Sequence, residues 1–480
     1  MVGRLLRMAW VGLGGALLLG CGSMVERGAQ SLEGLPPATD SLTTTANLGQ
    51  TAFRATVVAT LRQPVTSTRT GLAMFWHRSR EVVVGNVPVS MSLMELPEEQ
   101  PGTEAFERFL DGEGLPKREL GRVKCLVDGP GFFGEFDRQL EKASRSVDVQ
   151  IYIFDNDDIG VRYAQKLARK SSTVPVRVLF DDMGTNTAIM APPLTPAPDG
   201  FLPPEDMKAC LKDGSNVAVR RTLNPWLVAD HTKLLVFDDK TAILGGMNIG
   251  REYYSEWHDL MLKVEGPIVG SLAREFQSAW RKAGPWGDLA GLFPGRKIQW
   301  PDVVGNDVPL RILRTDAPSG RSEVLEASIA AMRASRERIW IQNPYFASDD
   351  LARAAQDAAR RGVDVRVIFP LENDSRLMEL SNLETARGLI SAGVKVYHYP
   401  VMTHLKAMIC DGWATVGSAN FDVLSMRLNR ELNLAFSDER SVADLADSIF
   451  LPDFRRSKRV KLEDTESPMA PFVESVADQL

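Results

Sequence analysis

His231 and Lys233 stand two residues apart, Asp238 follows five residues after Lys233, and Gly245-Gly246-Met247-Asn248 comes behind them. The arrangement recurs at His404, Lys406, Asp411 and Gly417-Ser418-Ala419-Asn420. From the His to the first Gly, and from the His to the Asn, the two copies differ by a single position. The 480-residue chain has only five His. Two of them inside one repeated pattern point to a duplicated site rather than to two unrelated surface strands.

These side chains suit phosphodiester exchange. Two imidazoles facing one phosphorus can divide the work: one attacks, and the other protonates the leaving alcohol and later deprotonates the incoming one. Lys233, Lys406, Asn248 and Asn420 carry N–H donors for the oxygens on which charge grows. Gly246 and Ser418 occupy the small positions beside them, where backbone can come close to a phosphate. The chemistry needs no metal or other cofactor, and the sequence has neither an HExxH nor a paired CxxC spacing.

An attacking imidazole needs a carboxylate on its other ring nitrogen. Asp259 follows His231, and Glu431 follows His404, at intervals that again differ by one position. Each opens an apolar, strand-like run, so both are assigned as orienters. Asp238 and Asp411 complete the two catalytic motifs. They fall in turns, where fixing the hairpin or a structural ion pair suits them better than touching substrate.

The stretch from His231 to Asp238 reads as a strand, and period 2 puts His231 and Lys233 on one face. Asp238-Asp239-Lys240 turns the chain into a second strand at Ala242-Ile243-Leu244; in the other copy the turn is Asp411-Gly412.

The doubled motif resembles the HxKxxxxD signature of the phospholipase D superfamily in its two-copy form, and is most similar to bacterial cardiolipin synthases. Glu252-Tyr253, Trp257-His258-Asp259 and Val264-Glu265-Gly266-Pro267 around the first copy carry the resemblance. So do Asn343-Pro344-Tyr345-Phe346, Ser425, Asn429 and Glu431 around the second. It covers roughly residues 120–450. The resemblance implies a covalent phosphatidyl-histidine and transfer between two phosphatidylglycerol molecules, giving cardiolipin and glycerol. Water resolving the same intermediate makes a phospholipase D that yields phosphatidic acid; motif residues do not separate the two outcomes, nor do they say which His attacks. The partners so implied are a phospholipid membrane and an anionic lipid substrate. A phospholipase D-like nuclease shares the motif. Against nucleic acid stand the net charge of −6 and the lack of a basic stripe with interleaved aromatics. A non-catalytic binding protein has no use for two complete motifs.

Strand and helix periods place these residues in an α/β fold of two pseudo-repeated lobes, with the site at their interface because each supplies one His. In the first lobe, Phe136, Leu140 and Ala143 mark a helix, 147–154 a strand, 158–170 a helix and 176–180 a strand. In the second, Leu325, Ile329 and Met332 mark a helix, 339–341 a strand, Ser348 an N-cap with a helix to Gly362, 365–369 a strand, and 394–399 another after a helix. The boundaries read as a signal segment 1–20, an N-terminal linker and accessory region 21–118, a first lobe 119–283, a Gly- and Pro-rich linker 284–309, a second lobe 310–452 and a tail 453–480. Within 21–118, residues 53–61 and 71–94 suggest strands and 98–116 a loop. In the tail, Arg455, Arg456, Lys458, Arg459 and Lys461 read as a solvated basic face.

Arg4 and Arg7 precede an apolar run, 8–19, too short to span a bilayer comfortably. It ends in Leu18-Leu19-Gly20-Cys21, which resembles a bacterial lipoprotein cleavage box. Cys21 is the expected lipidation site, and the expected location is the cell envelope, at the outer membrane facing the periplasm. The resembled synthases typically open with transmembrane helices, and here the lipoprotein-type segment stands instead. Cys125, Cys210 and Cys410 suggest no disulfide framework.

The stretch from Phe180 to His231 is markedly longer than its counterpart from Phe369 to His404. The surplus coincides with 190–207, which holds six Pro. A stiff insertion just before the catalytic strand is expected to border the substrate mouth. Deleting 191–204 should leave the fold intact and change acyl or head-group preference; kinetics unaltered across a panel of lipids would refute this.

Overall fold

Leu234 and Val236 point one way from their strand and Leu235 and Phe237 the other, and the two pairs enter different cores. Ala407 and Ile409 part from Met408 and Cys410 in the same manner. Such strands are apolar on both faces because each packs a core on either side. One core belongs to the first lobe, one to the second, and the third is built by both. The computed structural model describes residues 49–83, 98–190 and 197–466. Cys21 and its apolar segment lie outside the described residues, as do 84–97, 191–196 of the insertion, and 467–480.

The first lobe contributes β1 (Glu119–Val127), β2 (Val147–Ile151), β3 (Val176–Phe180), β4 (Ala218–Arg221), β5 (Leu234–Phe237), β6 (Thr241–Gly245) and β7 (Leu260–Glu265). The second contributes β8 (Val308–Asp316), β9 (Arg321–Ser322), β10 (Arg338–Gln342), β11 (Asp364–Pro370), β12 (Lys395–Tyr399), β13 (Ala407–Cys410), β14 (Trp413–Gly417), β15 (Glu431–Phe436) and β16 (Lys458–Arg459). The order β1-β7-β6-β5-β2-β3-β4 is repeated as β8-β15-β14-β13-β10-β11-β12. β1 pairs antiparallel with β8, Glu119 opposite Leu310, and joins both lobes in one 16-stranded sheet. β9 pairs with β8 off this path, and β16 covers the outer edge of β12. β16 is the Lys458-Arg459 part of the basic run and is exposed, so its charges also guard that edge from further pairing.

The helices that position the strands are α1 (Pro64–Val83), α2 (Glu104–Gly112), α3 (Asp128–Lys142), α4 (Asp158–Lys170), α5 (Ile268–Lys282), α6 (Glu323–Ala334), α7 (Asp349–Arg360) and α8 (Arg376–Ser391). α4 and α7 are the crossovers between the parallel pairs β2–β3 and β10–β11. α4 starts where Asp157 accepts the Gly160 N–H, and it buries Ile159, Tyr163, Ala164 and Leu167, one face at helical spacing. Ser348 sits at the start of α7, but its side chain accepts no capping bond.

Two expectations for the N-terminal region fail. Residues 53–61 and the described part of 71–94 are helical, not strands. The buried residues Ala55, Ala59, Gln63, Ser67 and Thr70 recur at helical spacing, and they are small or polar. The large apolar residues that suggested strands face outward. Residues 98–116 are not all loop: Thr103 caps α2, whose Phe106 and Leu110 enter the second core. The helix is amphipathic, and its acidic side is fixed by Arg311, fully buried, which meets Glu107 at 2.6 Å and Asp111 at 2.8 Å. The linker 284–309 lies against the first lobe. Arg296 binds Asp239 and Asp148, and Asp307 binds Arg122, so it is strapped to the first lobe.

His258 pins the lobes together. Its Nδ1 lies 2.7 Å from Asp128 and its Nε2 2.8 Å from Asp453, while Tyr399 stacks on the ring at 4.7 Å. Burial alone would push its pKa down; the hydrogen bonds to Asp128 and Asp453 overcome this and raise it to about 9. The folded-state pKa is thus above the unfolded value, so the stabilisation is full below about pH 6.5 and is lost as pH rises through about 9. It amounts to roughly 2–3 kcal/mol, since Asp128 is partly exposed. Denaturant titrations should show the stability advantage of the native chain over His258→Gln shrinking between about pH 6.5 and 9.5.

Candidate active site

The His-x-Lys segments sit just before β5 and β13, where the two lobes meet. The peptide N–H of His231 donates to Arg430 O at 2.9 Å, and that of His404 to His258 O at 2.8 Å. Each motif is therefore stitched to the opposite lobe by its own backbone. The side chains cross in the same way. His231 Nδ1 lies 3.1 Å from Glu431 Oε2, and His404 Nδ1 lies 2.7 Å from Asp259 Oδ2. Asp259 and Glu431 thus pair with the histidines, each with that of the other copy. The interval from His to carboxylate is nearly equal in the two copies, so spacing alone could not tell own from opposite. The central β1–β8 pairing decides it, by setting β7 and β15 across the lobe boundary.

A carboxylate at Nδ1 accepts that N–H and leaves the Nε2 lone pair for chemistry. Both rings are held by aromatic edges as well. Tyr152 meets His231 at 4.7 Å, and Tyr253 and Trp257 meet His404 at 5.5 and 5.3 Å.

The lysines are buried beside the rings. Lys233 Nζ donates to His231 O at 2.8 Å and Lys406 Nζ to His404 O at 2.6 Å. Burial lowers Lys233 to about 7 and Lys406 to about 8, against the pull of Glu431 and Asp259. The same burial raises Asp259 and Glu431 to about 7, opposed by the fields of Lys406 and Lys233. His231 is pushed well below its ordinary value, first by burial and then by Lys233 and Lys406. The site is a closed set of four charged groups around two rings, built to receive one further negative charge.

Other sequence-derived roles are redistributed. Asn248 accepts from Ile153 N at 3.0 Å and donates to the Tyr253 hydroxyl at 2.8 Å, so it braces the aromatic beside His404. Asn420 is buried and its Oδ1 has no protein partner. Gly246 lies behind Asp259, where a Cβ would collide with the carboxylate Oδ1. Ser418 Oγ donates to Glu431 Oε2 at 2.6 Å. Gly246 and Ser418 therefore seat the carboxylates. Asp238 and Asp411 lie at the far end of their strands from the lysines, roughly 16 Å away for five residues at strand rise. Asp238 accepts the N–H groups of Ser144, Arg145 and Ser146, and Asp411 those of Arg336, Glu337 and Arg338. Both have positive φ, so they lock the hairpin turn to the start of β2 or β10 and do not reach the site.

Gln150 and Gln342 escaped the sequence reading. Gln150 Nε2 donates to Asp230 at 2.8 Å and Gln342 Nε2 to Thr403 at 2.7 Å, each fixing the residue before a catalytic-motif His. The signal was present: a lone Gln at the matching place in two apolar strands, Val149-Gln150-Ile151 and Ile341-Gln342-Asn343. Asp181, which accepts the Asp230 N–H at 2.7 Å, has no such echo.

A family model described as cardiolipin synthase, phospholipase D-like domain, matches residues 136–280 and again 328–451. Cardiolipin synthase A of Pseudomonas putida is 30% identical over 73% of this chain and 72% of its own length. Cardiolipin synthase 1 of Bacillus cereus is 27% identical over 75% of this chain and 71% of its own. The phosphatidylserine synthase structure from Haemophilus influenzae shares the fold, with a TM-score of 0.58 at 15% identity, covering 77% of this chain and 95% of that one.

The turn aspartates supply a clean test of position. Asp238→Ala and Asp411→Ala each leave three backbone N–H groups without their acceptor, which should cost about 2–4 kcal/mol. Chemical denaturation should register that loss, while the rate per folded molecule stays within about threefold of the native chain.

Proposed function

The chain belongs to the phospholipase D-like cardiolipin synthase family, and on that premise we propose that it transfers a phosphatidyl group from one phosphatidylglycerol to another, giving cardiolipin and glycerol. The observation that carries the mechanism is the crossed pair of carboxylate-held imidazoles. His231, kept unprotonated by burial and by its lysine neighbours, attacks phosphorus through Nε2. The bond from phosphorus to the glycerol oxygen breaks, and His404 gives that oxygen its proton. A hydroxyl of the second phosphatidylglycerol then loses its proton to His404 and attacks phosphorus, and the phosphorus–nitrogen bond breaks. Lys233, Lys406 and the Asn420 amide hold the phosphoryl oxygens in both steps. Asp259 and Glu431 orient the rings and balance the imidazolium charge. Water in place of the second lipid yields phosphatidic acid, so exclusion of water decides the product. We place the enzyme at the envelope, acylated at Cys21, working on a membrane lipid.

Phosphatidylglycerol vesicles and product mass spectrometry test the reading: cardiolipin supports it, and phosphatidic acid alone sinks transfer in favour of hydrolysis. His231→Ala and His404→Ala should each lower turnover by about four orders of magnitude or more, because members of a cooperating unit fail together. Asp259→Asn and Glu431→Gln should lose about 10²- to 10³-fold, as a carboxylate that fixes the tautomer does less than the ring it holds.

The free site also fixes a pH profile. Below about 7, Asp259 and Glu431 take up protons and stop accepting imidazole N–H groups; above about 8, Lys233 and Lys406 are neutral. kcat/KM should therefore be a narrow bell between these limits. Bound phosphate raises both lysines, so kcat should hold to higher pH than kcat/KM.

A further inference from the structure

The kinked helix of the N-terminal region is built inside out. Its inner face carries Ala55, Ala59, Gln63, Ser67 and Thr70, and it is fastened by polar bonds. Gln63 Nε2 donates to Lys282 O at 2.8 Å, Thr66 N to Asp288 at 2.9 Å, and Trp226 Nε1 to Ser67 O at 2.8 Å; Arg54 binds Asp182. Its outer face carries Phe53, Val57, Leu61, Leu72, Phe75 and Trp76, between 42% and 77% exposed. These residues form a stripe at helical spacing on both sides of the kink at Gln63. A helix that hides hydroxyls and shows aromatics is oriented for a surface that is not water.

Three observations name that surface. First, residues 47–80 contain five Arg and no Asp or Glu, and Arg62 and Arg69 are exposed, which complements anionic head groups. Second, the apolar surface extends beyond the helix itself. Trp226, half exposed, packs on Gly71 and lies five residues before His231, and Leu289 and Leu292 flank the Asp288 that holds Thr66. Third, no described helix is long and apolar enough to cross a membrane, while an apolar stripe bordered by arginines suits shallow burial among head groups.

We propose that residues 53–76, with Trp226 and the turn at 287–292, form an interfacial docking surface for anionic phospholipid bilayers. It lays the active-site rim against the leaflet that holds the substrate. This rests on the reading that the substrate is a membrane phospholipid. The surface and the catalytic site are nevertheless tested by different measurements.

The experiment uses the full chain and its Leu72→Asp, Phe75→Asp and Trp76→Phe variants. Vesicles of phosphatidylglycerol and phosphatidylcholine, with or without brominated acyl chains, are the membrane probe. Dihexanoyl-phosphatidylglycerol below its micelle concentration is the monomeric one. Brominated vesicles should quench the native tryptophan emission more than that of Trp76→Phe. Leu72→Asp and Phe75→Asp should weaken vesicle binding at least tenfold and lower vesicle turnover to match, with monomer turnover within about twofold. Unchanged vesicle binding in both Asp variants overturns the proposal. So does a lipid-free native dimer that Phe75→Asp disperses, which assigns the face to a second copy. So does shielding of Trp76 from acrylamide without lipid, which assigns it to the chain's own N-terminal segment. Absence of turnover on either substrate refutes the proposed transfer, while the quenching result still decides the surface.

Discussion

Neither lobe can make a working imidazole alone. The carboxylate that fixes the ring of His231 comes from the lobe of His404, and the reverse also holds. Everything around the site serves this exchange. The β1–β8 seam brings the orienting strands to either side of the lobe boundary, the shared core is built from both lobes, and His258 clamps the boundary next to Asp259. Buried charges of both signs are costly unless they are paired and hydrogen-bonded. Here the lysines and carboxylates hold one another near neutrality until a phosphate arrives. Two separate folding units would gain nothing from burying half such a set, so the site and the joined fold depend on each other.

The catalytic-motif residues were legible because each is chemically costly to bury and occurs twice at the same spacing. The repeated order of strands was legible for a related reason: helical and strand periods recur before each motif, and the resulting elements agree with the structure to within a few residues. The family match and the shared fold then cover the same repeated region.

What escaped the sequence was long-range. No spacing says whether Asp259 answers to His231 or to His404; the pairing of Glu119 with Leu310, in the first strands of the two lobes, does. Asn248 and Ser418 carry the right atoms for gripping phosphate, but Tyr253 and Glu431 occupy them. α2 looked like a loop because Glu, Gly and Pro crowd 98–116, and the partner of its acidic side, Arg311, lies far off in the second lobe. The N-terminal helices were misread as strands because large apolar residues are normally read as facing inward, and here they face out.

The unbroken seam between β1 and β8 has a bearing on how so bulky a molecule gets in. A ladder of peptide hydrogen bonds that runs from one lobe into the next leaves no hinge about which the halves could swing apart. A two-tailed lipid must reach the rings with the lobes still joined. Evolution could therefore retune which alcohols are admitted by rewriting the loops around the site, without disturbing the rigid cradle that does the bond-making.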